Sequence, residues 1–128
     1  MLERIKLGID KFYVACGRTD MRMGLHGLIN KVTCEFKLNP YDTCAFLFCG
    51  RRNDRIKVLI WEGDGFLLMY KRFETGKLQW PRNTNEAKKI TEQQLEWLLS
   101  GIAIEAKYPI KKLNMKEDLS EEIAKLLA

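Results

Sequence analysis

CAFLFCGRRNDRIKVLIWEGDGFLLMYKRFETGKLQWP, residues 44–81, holds three apolar runs separated by short polar breaks, the pattern of consecutive antiparallel strands. The runs are Cys44 to Cys49, Ile56 to Trp61 and Phe66 to Tyr70, and their bulk comes from Val, Ile, Phe, Trp and Tyr. Such side chains suit a pleated, half-buried surface better than a helix. The breaks carry the charge. Arg51, Arg52, Asn53, Asp54 and Arg55 fill the first, Glu62, Gly63, Asp64 and Gly65 the second, and Lys71 and Arg72 close the third run. This predicts a curved, mainly antiparallel meander with arginines and lysines at its ends.

Outward from that stretch, residues 5–15 read as a first strand behind Gly8 and Asp10. Cys16 to Thr19 turn into a helix from about Asp20 to Lys37, with Leu25, Leu28, Ile29, Val32 and Phe36 on one face. Thr19 or Asp20 is placed to cap it, since a short side-chain oxygen accepts from the unpaired N–H groups of a first turn. Gly24 and Gly27 inside it each cost about 1 kcal/mol relative to alanine, which predicts close approach to the sheet. Pro40 ends the helical stretch, because residues before proline avoid helical geometry. RNTNEAKK, residues 82–89, reads as a polar loop. Thr91 with Gln94 forms a capping-box pattern, followed by an apolar face of Leu95, Leu98, Leu99 and Ile102, with Gly101 as the stop. A short helix from about Asp118 is expected after residues 105–117. The fold class is therefore α+β, a meander packed against one amphipathic helix with peripheral C-terminal helices. Residues 1–104 are expected to form the domain and 105–128 an extension.

Composition narrows the function. No run approaches the roughly 18 uncharged apolar residues of a membrane span, and Glu3 near the start argues against a signal peptide, so a cytoplasmic protein without membrane contact is expected. The four cysteines contain no C-x-x-C pair, and His26 is the one histidine. Free thiols are expected, with neither metal nor cofactor. Lys plus Arg number 22 against 17 Asp plus Glu. Residues 51–82 hold eight basic and four acidic residues, whereas residues 105–128 balance at five each, so the positive surplus is local. Local surplus is what an anionic partner requires.

No nucleophile and base pair is visible beyond what His26 alone could offer, and no Gly-Lys-Ser/Thr follows the glycines at 63 and 65. A metal-dependent nuclease would draw on Asp20, Asp54, Glu62 and Asp64, but a cap and two turns account for them as well. No catalytic residue is expected. The basic set is the better candidate: Arg51, Arg52, Arg55, Lys57, Lys71, Arg72 and Lys77 with Arg18 and Arg22, interleaved with Trp61, Tyr70 and Trp80. It combines point charges for phosphates with flat rings for stacking. The expected partner is DNA, held at one edge of the meander.

With GRTDMRMGLHGL at residues 17–28 and FLFCGRRNDRIKVLIWEGDGFLLMYKRFETGKLQWP at 46–81, the chain resembles the TnpB accessory protein of the insertion sequence 66 family, its second open reading frame product. The likeness runs through most of residues 11–101 and departs at Met23, where lysine is usual, and at Leu78, where an aromatic is usual. It implies a part in transposition beside a separate transposase that carries the acidic catalytic residues, and it brings no active site with it. Two readings follow: an accessory factor that binds DNA, or an adaptor that contacts the transposase of the same element through the C-terminal helices.

Overall fold

The computed structural model describes residues 1–105, 110 and 125–127. Its elements are α1 (Leu2–Lys6), β1 (Lys11–Ala15), α2 (Leu25–Asn30) running on into a π-helical turn (Lys31–Glu35), β2 (Cys44–Cys49), β3 (Arg55–Trp61), β4 (Phe66–Arg72), β5 (Ala87–Ile90) and α3 (Glu92–Leu99). The strands form one open sheet in the order β4-β3-β2-β1-β5. β2, β3 and β4 pair antiparallel as the expected meander, β5 is antiparallel to β1, and β1 is parallel to β2. The protein is α+β, with a mostly antiparallel sheet.

β2 is central and buried along its whole length, which is why CAFLFC reads as a continuous apolar run rather than an alternation. Its odd and even positions serve two cores. Ala45, Leu47 and Cys49 join Val14, Ile56, Val58 and Ile60 under α1 and α3, where Ile5, Leu95 and Leu98 are fully buried. Cys44, Phe46 and Phe48 join Leu59 beneath α2, which contributes Leu28 and Val32. Cys44 and Cys49 therefore face opposite sides, as their odd separation predicts. Trp80 belongs to the first core: it is 5% exposed, and its Nε1 donates to the carbonyl of Ala15 at 2.9 Å.

Four local expectations are corrected. The helix begins at Leu25, with Gly24 as its N-cap and no side-chain cap bond. Asp20 instead accepts from the backbone N–H of Arg22 at 3.0 Å, an Asx turn that competes with helix formation. Gly24 has open space about its Cα and Gly27 lies against Met23, so neither marks contact with the sheet. Residues 2–6 are helical, which leaves only Lys11–Ala15 for the first strand, and the 82–89 loop contains the start of β5. The capping box at Thr91 forms as its pattern predicts, with Gln94 N–H donating to Thr91 Oγ1 at 3.1 Å. Most of the short helix expected from Asp118 lies outside the described residues. Among those described, no helix is long and apolar enough to cross a membrane.

Candidate nucleic-acid interface

Parallel neighbours end at the same edge of a sheet, and that fact builds the site. β1 ends at Ala15 and β2 at Cys49, so the loops that follow them, 16–24 and 50–54, emerge side by side. β3 starts and β4 finishes at this same edge, with Arg55 opposite Arg72. Two arginine-bearing segments distant in sequence are thereby brought together.

Backbone bonds hold the loops in place. Thr19 N–H donates to the Cys49 carbonyl at 3.0 Å and Gly17 N–H to the Pro81 carbonyl at 2.9 Å. Gly17 has φ +79°, and a Cβ there would overlap the Asn85 side chain. At Gly50 a Cβ would overlap Met21, so the two loops close on each other only because that position is bare. Lys57 reaches up from β3 and donates from Nζ to the carbonyls of Met21 and Met23, each at 2.8 Å. Arg82 ties the assembly from the other side, its guanidinium donating to the carbonyls of Gly17 and Gly50 and to Asn53 Oδ1.

Between the loops opens a cleft of about 500 Å³ lined by Arg18, Thr19, Asp20, Met21, Arg22, Gly50, Arg51, Arg52, Arg55 and Tyr70. Five arginines thus line the cleft with one aspartate. Arg22 pairs with Asp20 at 2.9 Å, and that hydrogen bond, helped by the Arg22 backbone N–H, lowers the Asp20 carboxyl to about 2. Arg55 Nε stands 3.6 Å from Asp54 Oδ1, outside hydrogen-bond range. Among the described residues, Arg18, Arg51 and Arg52 take part in none of the ion pairs. Two of the five arginines are thus accompanied by an aspartate and three are not, which leaves a local positive excess at the cleft.

The expected basic set is divided by the fold. Arg18, Arg22, Arg51, Arg52 and Arg55 converge on the cleft, and Arg72 adjoins it through its register with Arg55. Lys57 braces the 16–24 loop instead of facing outward. Lys71 alternates onto the opposite face, its amine 5.0 Å from the centre of the Phe73 ring. Lys77 lines a separate hollow with Phe73, Leu99 and Gly101. Trp80 is core, which removes it as a stacking surface in this fold, and Trp61 packs with Tyr41 and Phe66 at the far end of the sheet. Tyr70 alone of the named rings reaches the cleft, 54% exposed. Sequence reading missed Arg82 and Thr19. Arg82 begins a polar stretch with no periodicity, so nothing local distinguishes it from a solvated arginine.

The carboxylates do not assemble. Asp20 is at the cleft, Asp54 beside Arg55, Glu62 pairs with Arg4, and Asp64 sits in the β3–β4 turn. Among the described residues no three His, Cys, Asp or Glu side chains are grouped to hold a metal ion. All four cysteines are free thiols, and burial pushes those of Cys44 and Cys49 up to about 11. A thiol held there is poorly ionised at neutral pH.

A family profile described as IS66 Orf2 like protein matches residues 10–109. The uncharacterized protein y4hO of Sinorhizobium fredii (strain NBRC 101917 / NGR234) is 40% identical over 92 residues, 72% of this chain and 80% of that one. The uncharacterized protein y4jC of the same strain is 29% identical over 92 residues, 72% of this chain and 79% of the relative. No solved structure matches.

Proposed function

This chain belongs to the IS66 Orf2 like protein family and so has a role in the transposition of an insertion sequence; from that premise we propose that it is a non-catalytic DNA-binding factor. DNA phosphates occupy the arginine cleft, and the bound protein assists a separate transposase of the same element. The observation that carries this reading is the convergence of Arg18, Arg22, Arg51, Arg52 and Arg55 on one cleft lined by a single aspartate. Neutralising phosphates releases condensed counterions, so affinity falls as salt rises. With about four phosphates engaged, raising salt from roughly 50 to 200 mM weakens binding to duplex DNA about a hundredfold. Replacing Arg51, Arg52 and Arg55 together by glutamine lowers the slope of log affinity against log salt by about two to three. Binding that ignores salt, or no binding at low salt, overturns the proposal.

A second reading is favoured by the C-terminal residues. Leu126 and Leu127, in a helical turn, and Ile110 are almost wholly exposed, apolar side chains without cover among the described residues. An adaptor would seat them on the transposase. Co-purification of the two proteins after nuclease treatment, lost on deleting residues 105–128, supports this; retention after the deletion refutes it.

A further inference from the structure

The cleft is concave, and DNA presents phosphates in two different ways. A paired backbone curves along the outside of a cylinder with its bases turned away. It can touch the rim arginines but offers nothing to a ring set inside a hollow. An unpaired nucleotide offers phosphate and base together. The volume, about 500 Å³, lies in the range of pockets that enclose a small molecule, roughly 300–1,000 Å³.

Two observations distinguish this hollow from a merely charged surface. The first is Tyr70, an aromatic ring left 54% exposed among arginines. It stands opposite Lys57 in the β3–β4 register, and the Lys57 amine is drawn off to the carbonyls of Met21 and Met23. The second concerns hydrogen bonding. Among the described residues three buried side-chain polar atoms lack a partner: Thr19 Oγ1, Asp54 Oδ1 and Arg55 Nε. Thr19 and Arg55 line the cleft, whereas Asp54 does not line it and stands 3.6 Å from Arg55 Nε; Thr19 is only 3% exposed. Native proteins leave few such groups unsatisfied, and of the three it is the two donors at the cleft, Thr19 Oγ1 and Arg55 Nε, that an anion could complete. A phosphate accepts from a guanidinium Nε and from a hydroxyl.

We infer that the cleft takes an unpaired nucleotide of a DNA strand, its phosphate on the arginines and its base against Tyr70. This rests on the cleft being a DNA site. The test compares the full chain binding a fluorescein-labelled oligo-deoxythymidine of about a dozen nucleotides, and a duplex of the same length, by fluorescence anisotropy. The single strand binds more tightly. Tyr70→Ala lowers its affinity about five- to hundredfold, the stacking of one base, and lowers duplex affinity less, so the preference shrinks. Tyr70→Phe keeps the preference, since stacking needs the ring and not the hydroxyl. Tyr41→Ala, the same truncation at a similarly exposed ring at the far end of the sheet, leaves it unchanged. Equal loss on both probes, no loss on either, or a wild-type protein that favours the duplex overturns the inference while salt-dependent duplex binding preserves the DNA reading. A wild-type protein that binds neither probe overturns both.

Discussion

Arg55 and Arg72 stand directly opposite each other across the β3–β4 ladder, two like charges where a pair of opposite sign would stabilise the sheet. Asp54 relieves Arg55 only at 3.6 Å. The repulsion is an internal cost at the mouth of the cleft, and a bound anion would reverse its sign. Arg72→Glu therefore raises stability by a few tenths to about 1 kcal/mol in urea denaturation and weakens DNA binding. Unchanged stability in this variant would mean that solvent already screens the pair, and a loss would refute the repulsion.

Arg82 holds the carbonyls of Gly17 and Gly50 on one guanidinium, so the two arginine loops keep their separation through it. Hydrogen bonds to a charged donor contribute about 1.5–3 kcal/mol, and Arg82→Ala is expected to cost that much. Arg82→Lys recovers only part, because a compact ammonium does not reproduce the two-nitrogen fork that reaches Gly17, Gly50 and Asn53 together. DNA affinity, measured where both variants remain folded, falls in the same order. Unchanged affinity in Arg82→Ala would show that the loops need no tie.

Trp80 separates a core role from a stacking role. Trp80→Ala empties buried volume and costs about 3–5 kcal/mol. Trp80→Phe keeps most of the ring but leaves the Ala15 carbonyl without its donor, at about 1–3 kcal/mol. Below its melting temperature Trp80→Phe binds DNA as the parent does; a selective loss of affinity in that variant would return the ring to the interface.

Asp20 ties the cleft to pH. Its carboxyl is lowered from 3.8 to about 2 by hydrogen bonds from Arg22, so the folded state favours the ionised form. The stabilisation is complete above the unfolded value and disappears as pH falls from about 4 through about 2. It is small, because the pair is exposed to solvent. Asp20→Asn lowers the urea midpoint slightly at neutral pH, and the difference vanishes in acid. The same change removes the one carboxylate lining the cleft and raises DNA affinity at neutral pH. Because asparagine keeps the acceptor of the Asx turn, a stability gap that persists in acid would show that the effect is not one of charge.

The meander was legible because each of its strands is a local pattern. The strands β2 and β4 begin where their apolar runs begin, and the Thr91 capping box marks the start of α3 to the residue. β5 was not legible: AKKI is four residues with lysine at two of them, and what makes it a strand is the edge of β1 beside it. The start of α2 was misplaced because the apolar spacing from Met21 continues the helical period, while Asp20 takes its backbone bond in a turn. The fold divides the basic set for a related reason. Alternation along β4 puts Lys71 and Arg72 on opposite faces, and burial claims Trp80.

Read alone, the chain settled its class, the three central strands and the presence of a local positive surplus, because periodicity, turn chemistry and charge are properties of neighbours. Only the tertiary structure decided which arginines meet. Arg18 and Arg22 join Arg51, Arg52 and Arg55 because β1 lies parallel beside β2, and that pairing between residues about thirty positions apart is set by burial on both faces of β2. No spacing within either segment encodes it.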